Sequence, residues 1–422
     1  MTKTSVRFGG TLDRLAAGWL AAALLLGACG DSHTPGDGGD EGGMSDAAPM
    51  DGTTADGGPA DAARDAGPPP SLAGAPVDIL FVVDNSGSMW EEQTNLAREL
   101  PRFFGALATG EIRDRDSGEV RVRFDPVDDL HVGVVTTDMG TGGHPLETCY
   151  DATDGDDGIL STAMASDCTD SLPRFLRFGP GDDPEAFARD ASCKVRLGTD
   201  GCGFEQQLEA ALKALLPAGV EGTLGLGPYL TGTGHGDAEN AGFLRPDSIL
   251  VVVLLTDEDD CSANTPTLFD PSAFGGATTL NARCFLNSEA LHPVRRYVQG
   301  LSWLRRDDPR RLVFAAFAGL PPGLGSTAAG PTDWERIACT PARAEAGSCD
   351  PRLRPEVVMG ITGLELRPSC DTANGLAYPP NRIMRTAELL EAAGHQAVVG
   401  SICDELGGPM DVLLRRLAAL RR

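Results

Sequence analysis

The fold is decided by the stretch Pro76-Val77-Asp78-Ile79-Leu80-Phe81-Val82-Val83-Asp84-Asn85-Ser86-Gly87-Ser88-Met89. Ile79 to Val83 is a short run of β-branched, aliphatic and aromatic residues, which is typical of a strand buried on both faces. A helical pattern of apolar residues follows at Leu96, Leu100, Phe103, Phe104 and Leu107. We therefore expect Asp84, Ser86 and Ser88 in a loop at the carboxyl end of a central strand, where open α/β sheets bind their ligands.

A second strand of the same kind also ends in acids. The run is Ser248-Ile249-Leu250-Val251-Val252-Val253-Leu254-Leu255-Thr256-Asp257-Glu258-Asp259-Asp260. If the two strands are parallel, Asp257 lies at the same edge of the sheet as Asp84. The next three acids, residues 258–260, are more typical of a solvated loop than of a ligand set.

The pattern Asp-x-Ser-x-Ser after one buried strand, with Thr-Asp after another, resembles the metal-ion-dependent adhesion site (MIDAS) of von Willebrand factor type A (VWA) domains. The resemblance implies that Asp84, Ser86, Ser88 and Asp257 hold one divalent cation, with the aspartates acting through water. Ligands that are all oxygen suit Mg²⁺, with Mn²⁺ and Ca²⁺ as alternatives.

The resemblance also implies a threonine ligand from a loop that precedes a helix. Thr199 matches best, because it stands just before a helical pattern that begins near Phe204. Thr136 and Thr137 are the alternatives, because they end another apolar strand.

The helix after Asp84 has its own start signals. Ser88-Met89-Trp90-Glu91 is a capping box, so the Ser88 hydroxyl is expected to cap this helix as well as to bind metal. Glu91 and Glu92 stand where some relatives of the family carry a second cation, but acids in a first helical turn are favoured by the helix dipole in any case.

The chemistry of this site favours binding over catalysis. Neutral hydroxyl ligands leave a bound Mg²⁺ electrophilic, with a position open for the carboxylate of an Asp or Glu on a partner protein. We therefore expect cation-dependent protein binding and cell adhesion, no enzymatic activity and no small-molecule substrate. The alternatives are an envelope scaffold without metal-dependent binding, or a metal-assisted hydrolase with Glu258 or Asp259 as its base.

Composition excludes one class of partner. The 422 residues carry 61 acids against 35 lysines and arginines, a net charge of −26. Such a surface repels phosphates, so nucleic acid is not an expected partner.

The N-terminal residues predict export and a lipid anchor. Basic residues precede an apolar run from Leu15 to Leu26, as in a signal peptide, which we assign to residues 1–28. Leu26-Gly27-Ala28-Cys29 looks like a bacterial lipobox, so Cys29 is the expected lipidation site. Residues 29–75, rich in Gly, Asp, Ala and Pro, predict a disordered tether. A glycine after Cys29 suggests the outer membrane of a Gram-negative bacterium, reached through the lipid anchor.

Ten cysteines remain after Cys29, an even number that favours disulfides in an oxidising compartment. We expect sequential pairing, although spacing alone does not determine connectivity. The expected pairs are Cys149–Cys168, Cys193–Cys202, Cys261–Cys284, Cys339–Cys349 and Cys370–Cys403.

Alternating strand and helix patterns predict an α/β fold, a doubly wound and mostly parallel sheet of the Rossmann-like VWA type. The domain is assigned to residues 76–422, with long, irregular, disulfide-bearing insertions at about 139–200, 258–286 and 320–379. Further strands are expected at Leu130–Asp138, Arg311–Ala318 and Gln396–Ile402, with Arg121–Phe124 as a candidate edge strand.

Overall fold

The structure is a computed structural model that describes residues 70–168, 171–270, 272–273, 280–328, 330–359 and 363–422. These residues belong to one compact unit, Pro68–Arg422. The predicted signal peptide, Cys29 and most of the predicted tether lie outside the described residues. Residues 70–75, assigned above to the tether, belong to this unit: Leu72 is buried, and its N–H donates to Leu420 O at 2.8 Å.

Strands and helices alternate along the described residues. The strands are β1 Val77–Val83, β2 Glu111–Arg113, β3 Val120–Arg123, β4 Leu130–Thr136, β5 Phe175–Phe178, β6 Ile249–Leu255, β7 Leu312–Ala318, β8 Val357–Met359, β9 Leu364–Leu366, β10 Cys370–Thr372, β11 Gly375–Ala377 and β12 Gln396–Ser401. The α-helices are α1 Trp90–Thr109, α2 Pro184–Val195, α3 Gln207–Leu215, α4 Val220–Thr223, α5 Leu280–Leu286, α6 Arg295–Leu304, α7 Trp334–Ile337, α8 Pro341–Ala346, α9 Asn381–Ala392 and α10 Gly407–Leu420. Of the helices in the described part of the chain, none is both long enough and apolar enough to cross a membrane.

Six strands form the central sheet, in the order β12-β7-β6-β1-β4-β5. All neighbouring pairs are parallel except β4 and β5, which are antiparallel. The mixed α/β class and the mostly parallel sheet predicted from the sequence are therefore confirmed. The five parallel strands begin and end within two residues of the apolar runs that predicted them, because a strand buried on both faces needs a continuous apolar run.

Helices cover both faces of this sheet. Along β1, Ile79 and Phe81 pack with α1, α2 and α10, whereas Leu80 and Val82 pack with α3, α6 and α9. This alternation follows from the two-residue period of a strand, which sends successive side chains to opposite faces.

The chain reverses its direction across the sheet at β1. It moves from β1 to β4 and β5 on one side, and then returns to β6 on the other side of β1. The helix α1, which follows β1, lies on one face, and α6, between β6 and β7, lies on the other. The loops after β1 and β6 therefore lead to helices on opposite faces, and the carboxyl ends of such strands are the usual position of a ligand site in an open α/β sheet.

Two regions differ from the sequence-based expectation. Residues 139–200 were expected to be irregular, but they contain β5 and α2. Both were missed because β5 has only four residues and α2 buries a narrow face of mostly small residues. Arg121–Phe124 is not an edge strand of the main sheet: β3 instead pairs with β2 in a separate hairpin.

Five disulfides link the ten cysteines of the folded unit. The predicted pairs Cys261–Cys284, Cys339–Cys349 and Cys370–Cys403 are confirmed. The predicted pairs Cys149–Cys168 and Cys193–Cys202 are wrong, because the bonds are Cys149–Cys202 and Cys168–Cys193. The reason is the unpredicted α2, whose last turn carries Cys193 to the turn at Cys168, where Ala165 N donates to Cys193 O at 3.0 Å.

Candidate metal centre

The register of the parallel strands places the predicted site residues next to each other at the carboxyl edge of the sheet. Val83, the last residue of β1, is in register with the last residues of β4 and β6. The residues that come next, Asp84, Thr137 and Thr256, therefore leave the sheet side by side, and Asp257 follows directly. The two aspartates predicted to share a site do lie at the same edge of the sheet, after adjacent parallel strands.

Asp84 is fully buried and held in one orientation by two hydrogen bonds. Its Oδ1 accepts from Ser86 N at 2.8 Å, and its Oδ2 accepts from Thr256 Oγ1 at 2.7 Å. Thr256 is itself positioned by Gln207, whose Nε2 donates to Thr256 Oγ1 at 2.7 Å. Burial raises the pKa of Asp84, because these donors are neutral and only partly offset the loss of solvent.

The two serines lie together beside Asp84. Ser86 Oγ is 3.4 Å from Ser88 Oγ. The predicted capping box is wrong: α1 begins at Trp90, and the residue before it, Met89, makes no side-chain cap. Met89 N donates to Ser86 O at 3.2 Å, so Ser88 lies inside a turn that precedes the helix. Its hydroxyl is close enough to Asp257 to lower the pKa of that carboxyl.

Asp257 is the most unusual carboxylate of the site. It is 2% exposed, and its Oδ1 is buried with no hydrogen-bond partner among the described residues. Burial raises the pKa of Asp257 well above its ordinary value, and the charges of Asp84 and Glu258 raise it further, against a smaller opposing effect of the Ser88 hydrogen bond. An orphaned oxygen of this kind is costly unless something binds it.

The loop that carries Thr199 is tied to the same place. Gln93 of α1 donates from Nε2 to Gly198 O at 2.8 Å and accepts from Gly198 N at 3.2 Å. Gly201 N donates to Asn85 O at 2.8 Å. A Cβ on residue 201 would lie 2.2 Å from the Asn85 side chain, so a larger residue would force that side chain to move. Thr199 lies half-buried between the two anchors, next to the Asp-x-Ser-x-Ser turn.

The alternative threonines differ from each other. Thr136 Oγ1 donates to Asp156 Oδ2 at 2.7 Å, so this hydroxyl is engaged away from the serines. Thr137 is fully buried, and its Oγ1 has no partner among the described residues. Thr199 and Thr137 therefore remain as the two candidates for the threonine ligand.

The acids after Asp257 were expected in a solvated loop, but two of them cap helices. Asp259 accepts from Arg382 N at 3.0 Å and from Ile383 N at 3.3 Å, at the start of α9. Asp260 accepts from Leu208 N at 2.9 Å, at the start of α3, and pairs with the Arg382 guanidinium at 3.0 Å. Both acids receive hydrogen bonds from segments that are distant in sequence. The sequence pattern could not show these contacts.

Two further acids of the site were not among the predicted ligands. Glu205 is 3% exposed, and burial raises its pKa well above the ordinary value, followed by the charges of Glu258, Asp84 and Asp257. Glu92, in the first turn of α1, is 2% exposed, and its pKa rises to about 7, mainly through burial and then through neighbouring acids.

The charges of the buried residues at this site show whether a cation would fit there. Asp84, Asp257, Glu205 and Glu92 are all buried, and none of the main groups that shift their pKa values is a base. The described residues contain no group of three or more His, Cys, Asp or Glu side chains that could hold a metal ion by themselves. The candidate ligands are instead two acids plus hydroxyls, hard oxygen donors that fit Mg²⁺, and a dication would offset the buried negative charge.

Comparisons with known proteins add no family to this description. Neither the protein-family models nor the curated proteins contain a match to the chain. A function for the site therefore follows from its geometry and its charge.

Proposed function

We propose that this chain is a lipid-anchored VWA-type protein of the cell envelope that binds a partner protein through a divalent cation. The observation that carries the proposal is the buried, partnerless Oδ1 of Asp257 beside Asp84 and two seryl hydroxyls, in a cluster of acids without a base. The helices on both faces of the sheet and the reversal of chain direction at β1 support a doubly wound fold of this type.

Each residue of the site would have a distinct role toward the cation. Ser86, Ser88 and Thr199 would bind Mg²⁺ directly, and Asp84 and Asp257 would act through water, as the resemblance implies. When bound, the cation supplies an electrophilic position that accepts a carboxylate from an Asp or Glu of the partner. Mn²⁺ and Ca²⁺ are alternatives to Mg²⁺.

Other residues of the chain would hold these ligands in place. Thr256 fixes one oxygen of Asp84, and the Ser86 N–H fixes the other. Gln93 donates to Asp84 O at 2.8 Å while it also holds Gly198, so α1 joins the two loops that carry the ligands. These contacts are made by the chain itself and would hold the ligands in place, which limits the entropy lost on binding.

The envelope location is part of the proposal. Five disulfides are compatible with an oxidising compartment. Lipidation of Cys29 would anchor the chain to a membrane, with the segment up to residue 69 as a spacer. We expect no catalytic activity from the site.

Crosslinking on intact cells tests the proposal. Partner capture by the full chain should disappear in EDTA, return with Mg²⁺, and fail in the Asp84→Ala variant. Asp116→Ala, an exposed acid in the β2–β3 turn, should capture as the unchanged protein does. Capture that survives both chelation and Asp84→Ala would show that the partner does not bind through this site.

A further inference from the structure

Six large apolar side chains of the described residues are exposed, and three of them belong to segments that contact the candidate metal centre. Trp90, Tyr150 and Leu376 are 61%, 83% and 40% exposed, and we call them the apolar rim. The other three lie on α5 and β8. Trp90 is the first residue of α1, two positions after Ser88. Exposed apolar side chains that gather around a candidate site indicate a surface for a partner.

Leu376 belongs to the β10–β11 hairpin, which is attached to the metal centre at two points. Tyr378 N, directly after β11, donates to Asp257 O at 2.8 Å. A Cβ on Gly375 would overlap Glu92 Oε1, so the tip of the hairpin packs on the first turn of α1. The hairpin therefore holds Leu376 beside the site.

Tyr150 is attached to the site through a disulfide. The residue before it, Cys149, is bonded to Cys202. The residue before Cys202 is Gly201, whose N–H donates to Asn85 O at 2.8 Å, within the turn that carries the two serines. Because backbone contacts and a covalent bond position these segments, the chain loses little further backbone entropy when a partner binds.

An exposed acid accompanies each residue of the apolar rim. Glu91 follows Trp90 in the sequence, and Asp151 follows Tyr150. Asp371 of β10 stands directly opposite Leu376 of β11, so their side chains share one face of the hairpin. All three acids are exposed, on a chain whose net charge is −26. This surface attracts bases and repels acids everywhere except at a bound cation.

We propose that the apolar rim selects a partner segment in which one Asp or Glu is flanked by large apolar side chains, with Lys or Arg further out. This inference rests on the proposed function, because the cation holds the carboxylate of the partner. The flanking apolar side chains contact Trp90, Tyr150 and Leu376 and supply most of the affinity, since aromatic side chains dominate the energetics of many interfaces. The bases face the three acids of the surface, which speeds association and excludes acidic segments.

Selection from a phage-displayed library of random, disulfide-closed heptapeptides tests the proposal on the full chain with its own disulfides intact. Peptides that are retained in Mg²⁺ and released by EDTA should carry an Asp or Glu, apolar residues on both sides of it, and an excess of Lys or Arg over the library. Peptides that keep the acid but show no excess of apolar flanks, or none of bases, would overturn this inference and leave the proposed function standing. Retention that EDTA does not reverse, or no retention at all, would contradict both.

Variants of the apolar rim test its contribution directly. Trp90→Ala and Tyr150→Ala should each weaken binding of the selected peptide by about tenfold. Met359→Ala is the matched control, because Met359 is 77% exposed but lies in the separate β8–β9 hairpin, and it should bind the peptide as the unchanged chain does. Equal peptide affinity in all three variants would overturn the proposal.

Calorimetric titration of Mg²⁺ into Trp90→Ala separates the apolar rim from the metal centre. A weaker peptide affinity with Mg²⁺ affinity within about twofold of the unchanged chain places the lost contact on the apolar rim. Parallel losses of peptide and Mg²⁺ affinity, as expected for Asp84→Ala, would show that Trp90 acts only through the metal centre and would overturn the proposal.

Discussion

Two aspartates, one at each end of β1, are equally buried, but one has a basic partner and the other does not. Asp78, near the start of the strand, is fully buried and accepts from Arg245 Nε at 2.8 Å, Arg245 Nη2 at 2.6 Å and Ser248 Oγ at 2.6 Å. Asp84, just after the end of the strand, is fully buried, and its carboxylate accepts from a backbone N–H and a threonine hydroxyl, with no base paired to it among the described residues.

The difference separates a structural acid from a binding acid. At the Asp78 end, the guanidinium of Arg245 supplies the opposite charge, and Arg305 also donates to Ser248 Oγ at 2.7 Å. At the Asp84 end, further buried acids take the place of a base. A buried acid whose charge the chain itself neutralises serves stability, whereas acids left together without a base indicate a site for an external cation.

Asp78→Asn should give the largest effect on stability. Because the substitution leaves the Arg245 guanidinium without its buried partner, the free energy of unfolding should fall by about 3–5 kcal/mol. Denaturant unfolding with the disulfides intact, in EDTA and in Mg²⁺, measures this loss, which should be the same in both. A loss below about 1 kcal/mol would show that Asp78 is not an important structural acid.

Asp84→Asn should affect the response to metal. At a Mg²⁺ concentration of 100 times Kd, the unchanged protein should gain about 2.7 kcal/mol in free energy of unfolding, because only the folded state binds the ion. The variant should lose this gain. Asp78→Ser, if it folds, is the matched control at the other end of β1 and should keep the gain. If Mg²⁺ still stabilised the Asp84→Asn protein, Asp84 would not be needed to bind the cation.

The pH dependence of stability tests whether acids near Asp84 are buried without a base. Glu92 has its pKa raised from 4.5 to about 7 by burial, so between these pH values the folded state binds more protons than the unfolded state. Glu92 should therefore lower the free energy of unfolding of the metal-free protein by about 3 kcal/mol as pH rises from about 4.5 to 7. Glu92→Gln should reduce this slope, to which the other buried acids of the site also contribute, in denaturant unfolding at a series of pH values. An unchanged slope would exclude Glu92 as one of its sources.

The smallest expected effect is on Mg²⁺ affinity, and it should show which of the two threonines binds the cation. Thr199→Ala should weaken Mg²⁺ affinity by about tenfold, which is about 1.4 kcal/mol, whereas Thr137→Val should leave it unchanged. Calorimetric titration of Mg²⁺ into EDTA-stripped protein measures both. The reverse result would assign the ligand to Thr137, whose buried hydroxyl lacks a partner.

The sequence predicted the sheet and the meeting of its two aspartates because both depend on local patterns. Five apolar runs became parallel strands, and parallel strands bring the residues after them to one edge. Asp84 and Asp257 therefore lie together as expected.

Other features of the site depend on partners far along the chain. Thr256 can orient Asp84 only because β1 and β6 pair in one register, and Gln93 reaches Gly198 across 105 positions. Asp259 is satisfied by the start of α9, 123 positions later. A single sequence without relatives holds no signal for such contacts, although a Thr-Asp pair at a strand end was a local hint that Thr256 faces the site.

The most direct test of the central claim is anomalous diffraction from crystals of the protein grown with Mn²⁺. The account predicts a manganese peak bonded to the hydroxyls of Ser86 and Ser88, between the ends of β1 and β6, and no peak there in Asp84→Asn crystals. Manganese found only elsewhere, for example beside Asp138 and Asp156, or none in the protein at all, would contradict it.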